Sequence, residues 1–146
     1  MKAITLRVEW AYAVAHLGKT VENRVWYPPK GFTGDLAIHV GSTRSHTASE
    51  FIAGLGLALP DTLPTSVVVA VVHVDGHHIE SECDRFGGCS PWAMFAEPGA
   101  KPLYHWELSH NRPLTPVPAG GALGLWELSP AVDLAVHAQL ATAVAL

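Results

Sequence analysis

Residues 16–26 read HLGKTVENRVW, and this stretch carries the chemistry that decides the fold assignment. It places Lys19, Glu22 and Arg24 within six residues, in a chain of which only 15% of residues are charged. The second half of the stretch alternates in polarity, which predicts a strand with Glu22, Arg24 and Trp26 on one face. The three charged side chains either make a turn and a strand soluble at the surface or line a site, and spacing alone leaves both possibilities open.

The segments on either side predict a single α+β domain that spans residues 1–146. The most apolar of them, VVVAVVHV at 67–74, has the length of a buried strand. Turns or loops are expected at Asp75-Gly76, at 109–113 and at 115–121, where Gly, Pro and Asn are concentrated. The predicted strands are 3–8, 21–26, 35–40, 67–74, 103–108 and 122–128.

Three helices are predicted from apolar spacing and end signals. Residues 9–18 follow helical periodicity, and Gly18 can end that helix in the left-handed conformation. Residues 47–50, TASE, match a capping box ahead of a second helix. Ser129 and Pro130 suit the N-cap and first position of a C-terminal helix. The buried stripe expected on that last helix is Val132, Val136, Leu140 and Val144.

Composition narrows the class of protein. The chain has 146 residues, of which 49% are hydrophobic, so it can build a core. It contains no apolar run of the ~18 residues that a membrane span needs, and no secretory-signal pattern at its start, so we expect a soluble, cytoplasmic protein with no membrane contact. Two cysteines are too few for a disulfide framework.

The charge is distributed unevenly along the chain. The net charge is -4 and the pI is about 6.1, which argues against indiscriminate binding of polyanions. The first 44 residues nevertheless contain six basic and three acidic residues, and the remainder contains three basic and ten acidic ones. A cleft built from the N-terminal part would be locally positive; alternatively, its basic side chains are scattered over the surface.

Several segments together resemble the ASCH domain family of the PUA-like superfamily. The family motif is G-x-K-x-x-E-x-R, and this chain has Gly18, Lys19, Glu22 and Arg24 in that order, without the spacer between Gly and Lys. A tryptophan that opens the first helix, here Trp10, is also typical of the family. The matching segments are LRVEWAYAVAHLGKTVENRVW, GDLAIHVGS, SPWA, YHWEL and GALGLWEL.

This resemblance implies a PUA-like fold: a curled, mainly antiparallel β-barrel of about six strands with flanking helices, and a cleft lined by the motif. It also implies RNA, single-stranded nucleic acid or a nucleotide-like compound as the ligand. Some relatives are hydrolases that cut RNA or remove the acyl group of acetylated cytidine. The acetylcytidine-type relatives use Lys-x-x-Thr, and Glu22 stands here in place of the threonine. A carboxylate cannot act as an alkoxide nucleophile, although it could act as a general base on water.

Within the cleft, an ammonium or guanidinium suits phosphate and tryptophan rings suit bases. We expect Glu22 and Arg24 to form an ion pair that stabilises one wall of the cleft. Lys19 is then left to contact the ligand. Lys19 and Glu22 are the catalytic candidates if the protein is an enzyme. The expected ligand-binding residues are Trp10, Lys19, Glu22, Arg24, His39, Ser42 and Trp92.

Cys83 and Cys89 lie close in sequence to His73, His77 and His78, and such soft ligands suit zinc. The C-x5-C spacing is unlike the usual zinc knuckle, so we expect reduced, unliganded thiols, no metal and no cofactor. The leading hypothesis is therefore a nucleic-acid- or nucleotide-binding module. The alternatives are a hydrolase acting on RNA or a modified nucleoside, and a protein-interaction module that keeps the fold without the ligand.

Overall fold

A computed structural model describes residues 1–86 and 89–145 of the chain, and these residues form one six-stranded sheet with three helices. The strands are β1 (Lys2–Leu6), β2 (Val21–Arg24), β3 (Gly34–Val40), β4 (Val67–Ile79), β5 (Tyr104–Pro118) and β6 (Trp126–Glu127). The helices are α1 (Val8–His16), α2 (His46–Gly54) and α3 (Pro130–Ala145), with short 3₁₀ helices at Pro29–Gly31 and Glu80–Phe86.

The strand order is β2-β5-β4-β3-β1-β6, and among the described strands only the β1–β3 pair is parallel. The predicted α+β class and mainly antiparallel sheet are confirmed. The predicted closed barrel is wrong, because β2 and β6 lie at opposite edges of the described sheet and do not pair. These edge strands have only four and two residues, which leaves little backbone for closing a ring of strands.

The two longest strands run through positions where turns were predicted. β4 continues through Asp75 and Gly76, and β5 continues to Pro118, so the turns expected at Asp75-Gly76 and 109–113 are wrong, and the loop expected at 115–121 is confined to 119–121. The pairing of β4 with β5 shifts register at three points, one of them between Val74 and Gly76. Glycine and proline thus mark β-bulges here, which bend and twist a strand without reversing it.

The sheet is covered by helices on both faces. α1 packs on one face in a core that includes Ile4 and Trp106, while α3 packs on the other through the fully buried Val136. Val132 and Leu140 are partly buried in that second core, as predicted. Val144 is 88% exposed, so the predicted buried stripe ends one turn earlier.

The helix starts follow local hydrogen bonding. Ser129 and Pro130 begin α3 as predicted, and the Ser129 carbonyl accepts from the amide of Asp133. α2 is capped by Ser45, whose Oγ accepts from the Ala48 amide at 3.1 Å, so the helix begins ahead of the predicted capping box. None of the described helices combines the length and hydropathy that crossing a membrane requires.

Candidate functional site

The motif begins where α1 ends. Gly18 adopts a φ of 72°, and this left-handed residue lets the chain turn so that the Lys19 amide donates to the Ala13 carbonyl at 3.2 Å. Asn111 of β5 fixes the turn, because its Nδ2 donates to the carbonyls of Val14 and Lys19, both at 2.9 Å. The side chain of Lys19 is thereby directed into the protein. Sequence reasoning missed this role of Asn111.

Lys19, Glu22 and Arg24 form what we call the charged trio. Lys19 Nζ lies 2.8 Å from Glu22 Oε2, and Glu22 Oε1 lies 3.2 Å from Arg24 Nε. The expected contact between Glu22 and Arg24 is therefore present. The expectation that Lys19 stays available for a ligand is wrong, because Lys19 is 1% exposed and its ammonium is held by Glu22.

Burial dominates the protonation of Lys19. Loss of hydration disfavours the ammonium and lowers the pKa of Lys19 below its usual 10.5. The Glu22 carboxylate opposes this shift by raising the same pKa, and the Arg24 guanidinium adds to the lowering. A lysine in this state is closer to giving up its proton than a surface lysine is.

Arg24 is the member of the trio that reaches solvent. Its side chain is 26% exposed, and its Nη2 donates to the Thr5 carbonyl at 3.2 Å. Arg24 Nε is buried, and its N–H is aligned for a hydrogen bond with no atom of the described residues, despite the 3.2 Å distance to Glu22.

A cleft of about 280 Å³ opens over the exposed side of the trio. A second cleft of about 140 Å³ shares Thr5, Leu6 and Arg7 with it and continues to Gly41 and Thr43. The first space, which we call the motif cleft, is lined by Thr5, Leu6, Arg7, Trp10, Glu22, Asn23 and Arg24.

Arg7 brings a further cation to this cleft. It lies between β1 and α1 and is exposed, and its side chain makes one hydrogen bond to the described residues, from Nη1 to the Arg44 carbonyl, at a long 3.4 Å. Sequence reasoning missed Arg7, although a basic residue at a strand–helix junction just ahead of Trp10 was a usable signal. Arg44 itself is committed elsewhere, since its Nε pairs with the buried Glu9 at 2.8 Å.

The two predicted tryptophans differ in access. Trp10 is partly exposed and lines the motif cleft, with Lys19 Nζ 4.9 Å from its ring centroid and Phe51 packed edge-on. Trp92 is only 6% exposed and packs in the core with Ile52. Its burial leaves no open ring face for a base, so the structure places Trp92 outside the cleft surface.

His39 and Ser42 do not join the charged trio. His39 is 2% exposed, with Nδ1 3.1 Å from Thr5 Oγ1 and Nε2 2.7 Å from the Ala119 carbonyl. A side chain on Gly121 would come within 2.6 Å of the His39 ring, so glycine there permits this close packing. His39 thus anchors the segment after β5, while Ser42 is exposed and lies in sequence between Gly41 and Thr43, which line the smaller cleft.

The expectation of reduced, unliganded thiols is wrong in this structure, because Cys83 and Cys89 form a disulfide. The histidines beside the sulfur atoms are His78 and His105. His105 was not predicted, since it is 22 residues from Cys83 in sequence and reaches it only through the pairing of β4 with β5.

Two other cavities are larger than the motif cleft. A groove of about 610 Å³ lies between β5 and α3, and Arg112, its one charged lining residue, is already paired with Asp35 at 2.8 Å. A cavity of about 310 Å³ is lined mainly by apolar residues, with His16 as its one ionisable imidazole. Neither combines available cations with a carboxylate, so the motif cleft is the better candidate.

Comparisons with known proteins agree with the resemblance. The sequence matches no protein-family model, and no curated protein is similar enough in sequence to be detected. Among solved structures, that of ASCH from Zymomonas mobilis superposes with a TM-score of 0.61 at 15% identity, over 94% of this chain and 93% of the other. A tyrosine-to-phenylalanine variant of the same protein gives 0.61 at 15% identity, over 94% of this chain and 96% of that one. A serine-to-alanine variant gives 0.59 at 15% identity, over 94% of each chain. Identity this low establishes the fold alone, and the chain has the fold of ASCH domains.

Proposed function

We propose that the protein binds single-stranded RNA or a nucleotide in the motif cleft, with Arg24 and Arg7 contacting phosphate. The observation that carries this proposal is the buried Nε–H of Arg24, which is aligned with no acceptor among the described residues. Glu22 Oε1, at 3.2 Å, is poorly aligned with this N–H, and such a buried donor is costly, so an anion toward which the guanidinium turns would relieve that cost. The fold supports the proposal in general terms, because nucleic-acid interaction is what the ASCH resemblance implies.

The local charge favours an anion. Two cations, Arg24 and Arg7, line the cleft beside one carboxylate, Glu22, which also pairs with the buried Lys19. The nearby Glu9 is neutralised by its own partner Arg44. The cleft is therefore positive on a protein whose net charge is -4, and a guanidinium pair suits the geometry of a phosphate.

The size and walls of the cleft favour one unpaired nucleotide over a duplex. Its volume of about 280 Å³ is at the small end of ligand pockets. Trp10 supplies an aromatic wall beside the two arginines, and recognition of single strands commonly joins a stacked base to a bound phosphate. In this arrangement the buried Lys19 does not contact the ligand and instead holds the Glu22 carboxylate in place.

The test is an equilibrium titration of a fluorescently labelled single-stranded RNA octamer at low salt. We expect Arg24→Gln to weaken binding by about tenfold or more, because it removes a charge-assisted hydrogen bond to phosphate. The slope of log K against log salt should also become shallower by roughly 0.7 for each phosphate that the variant no longer neutralises. Lys101→Gln, at an exposed lysine outside the cleft, is the matched control and should bind like wild type. Equal binding by wild type and Arg24→Gln would reject the site.

A second candidate function is hydrolysis of RNA or of an acylated nucleoside. The observation that favours it is the lowered pKa of Lys19 beside a carboxylate that lines the cleft, a combination frequent in active sites. Here Glu22 would act as the general base on water. An assay with RNA and with acetylated cytidine decides: turnover by wild type that is lost in a folded Glu22→Gln variant would establish an enzyme, and no turnover by either would leave the binding module.

A further inference from the structure

Four side chains with metal-binding atoms converge at one end of the β4–β5 pair, and none of them is among the residues that line the motif cleft. His78 and His105 are cross-strand partners, and Cys83 and Cys89 come from the segment that follows β4. The two sulfur atoms and one nitrogen of each histidine all lie within 4.8 Å of one another. We call His78, Cys83, Cys89 and His105 the cysteine–histidine cluster.

The spacing of these atoms is close to that of a tetrahedral zinc site. Bond lengths of about 2.0–2.1 Å to nitrogen and 2.3 Å to sulfur imply edges of roughly 3.3 Å between nitrogens and roughly 3.6 Å between sulfur and nitrogen. In the protein, His105 Nδ1 lies 3.1 Å from His78 Nε2. The four sulfur–nitrogen distances are 3.3, 3.6, 3.7 and 4.0 Å. Five of the six edges thus match, and the sixth joins the two sulfur atoms of the disulfide.

The outer nitrogens of both rings are already oriented as in metal sites. His105 Nε2 lies 2.8 Å from the Met94 carbonyl, and a carbonyl can only accept, so this nitrogen carries the proton. His78 Nδ1 lies 2.8 Å from Glu107 Oε1, which assigns its proton in the same way. With these tautomers, His105 Nδ1 and His78 Nε2 present lone pairs to each other at 3.1 Å. Metal-bound histidines are held by such carbonyl and carboxylate partners.

We propose that the cysteine–histidine cluster binds one Zn²⁺ when Cys83 and Cys89 are reduced. Four protein ligands leave no open coordination position, so the zinc is structural. It ties the segment between β4 and β5 to the sheet through His78 and His105, whereas the disulfide of the oxidised chain joins two residues of that segment to each other. This differs from the sequence-based expectation that no metal is bound, and it does not rest on the proposed function of the motif cleft.

Reduction followed by metal binding converts the disulfide form into the zinc form. A phosphine reductant gives the disulfide two electrons and, with water, becomes the phosphine oxide, while Cys83 and Cys89 become thiols. Zn²⁺ then displaces one proton from each thiol and coordinates both thiolates and both neutral imidazoles. The disulfide and zinc forms therefore exclude each other.

The test is to measure zinc in the full chain, purified with a phosphine reductant and dialysed against metal-free buffer. We expect about one zinc per chain by elemental analysis, and a cobalt-substituted protein with the visible and thiolate charge-transfer absorption of a tetrahedral site. Cys89→Ser and His78→Ala should weaken zinc binding by more than about 100-fold, and Glu107→Gln by roughly 10- to 100-fold. His77→Ala, on the same strand but exposed and outside the cluster, should keep the metal.

The outcomes distinguish a specific zinc site from nonspecific zinc binding. Absence of zinc and of the cobalt spectrum in reduced, folded wild type would overturn the proposal. Zinc retained equally by wild type and Cys89→Ser would also overturn it, since the metal would then lie on other histidines. Circular dichroism of each variant shows that it is folded, and Cys89→Ser, at a partly buried position, serves if His78→Ala does not fold.

Discussion

The charged trio and the cysteine–histidine cluster lie on the same sheet, but they differ in what completes them. In the trio, two cations share one buried carboxylate, so one positive charge is left uncompensated, and Arg24 Nε–H is aligned with no acceptor among the described residues. In the cluster, two imidazole nitrogens and two sulfur atoms lie within 4.8 Å of one another, and once the disulfide is reduced all four are potential metal ligands. The first arrangement suits an anion that binds at its edge, and the second suits a cation at its centre.

The largest expected effect comes from removing the shared carboxylate. Glu22→Ala leaves the buried Lys19 ammonium without its counter-ion, and we expect the free energy of unfolding to fall by about 3–5 kcal/mol. Urea denaturation measures this. Lys19→Met/Glu22→Leu should recover most of the loss, because an apolar pair of similar volume replaces the ion pair at little cost. A loss below about 1 kcal/mol for Glu22→Ala would show that the pair is not buried in solution.

The next effect distinguishes the two forms of the cysteine–histidine cluster. The disulfide closes a short loop with a sequence separation of 6, for which the loop-entropy relation gives a stabilisation of about 2 kcal/mol. Reduction in the presence of a chelator should lower the free energy of unfolding by that amount, and added zinc should restore it. Denaturation curves of the three forms provide the measurement. Zinc that leaves the reduced chain no more stable than the chelated one would argue against the cluster as its site.

A smaller effect follows from the lowered pKa of Lys19. Between that pKa and the usual 10.5, the unfolded chain binds more protons at this position than the folded chain, so stability rises with pH. Wild type should therefore gain stability relative to Lys19→Met as the pH approaches 10.5. The difference between the two proteins removes the contributions of the other titrating groups. A difference that falls with pH would mean that Glu22, rather than burial, dominates the pKa of Lys19.

The smallest effect is expected where the charges are solvated. Arg112 and Asp35 are paired at 2.8 Å, but their side chains are 37% and 42% exposed. Arg112→Ala should cost less than about 1 kcal/mol, and high salt should remove the difference. Thermal melts at two salt concentrations test this. A loss as large as that of Glu22→Ala would remove the contrast between buried and exposed pairs.

The sequence predicts the parts of the fold that depend on local patterns. Alternation and apolar runs place all six strands, and Gly18 and Ser129 mark helix ends correctly. It does not predict that β4 continues past Asp75-Gly76, because a bulge and a hairpin use the same residue types. Barrel closure fails for a similar reason, since it depends on pairing between strands that are distant in sequence.

The site divides in the same way. The charged trio lies within six consecutive residues, so it can be predicted from the motif. The Glu22–Arg24 contact follows from strand periodicity. The burial of Lys19 and the access of Arg7 depend on how α1 packs, which spacing does not encode. The cysteine–histidine cluster spans residues 78–105 and becomes visible only through the register of His78 with His105.

The most direct test of the proposed function is the arginine Nε–Hε signal of Arg24 in nuclear magnetic resonance, followed during titration with a 5′-mononucleotide at low salt. The proposed function requires this signal to move in a saturable way, with weakening at high salt, because the phosphate accepts from an N–H that lacks an aligned partner. The Glu22→Gln variant retains Arg24, so the same Nε–Hε signal can be followed in a second protein. An unmoved Arg24 signal, with shifts confined to residues such as Arg112 or Tyr27 that do not line the motif cleft, would contradict the proposed function.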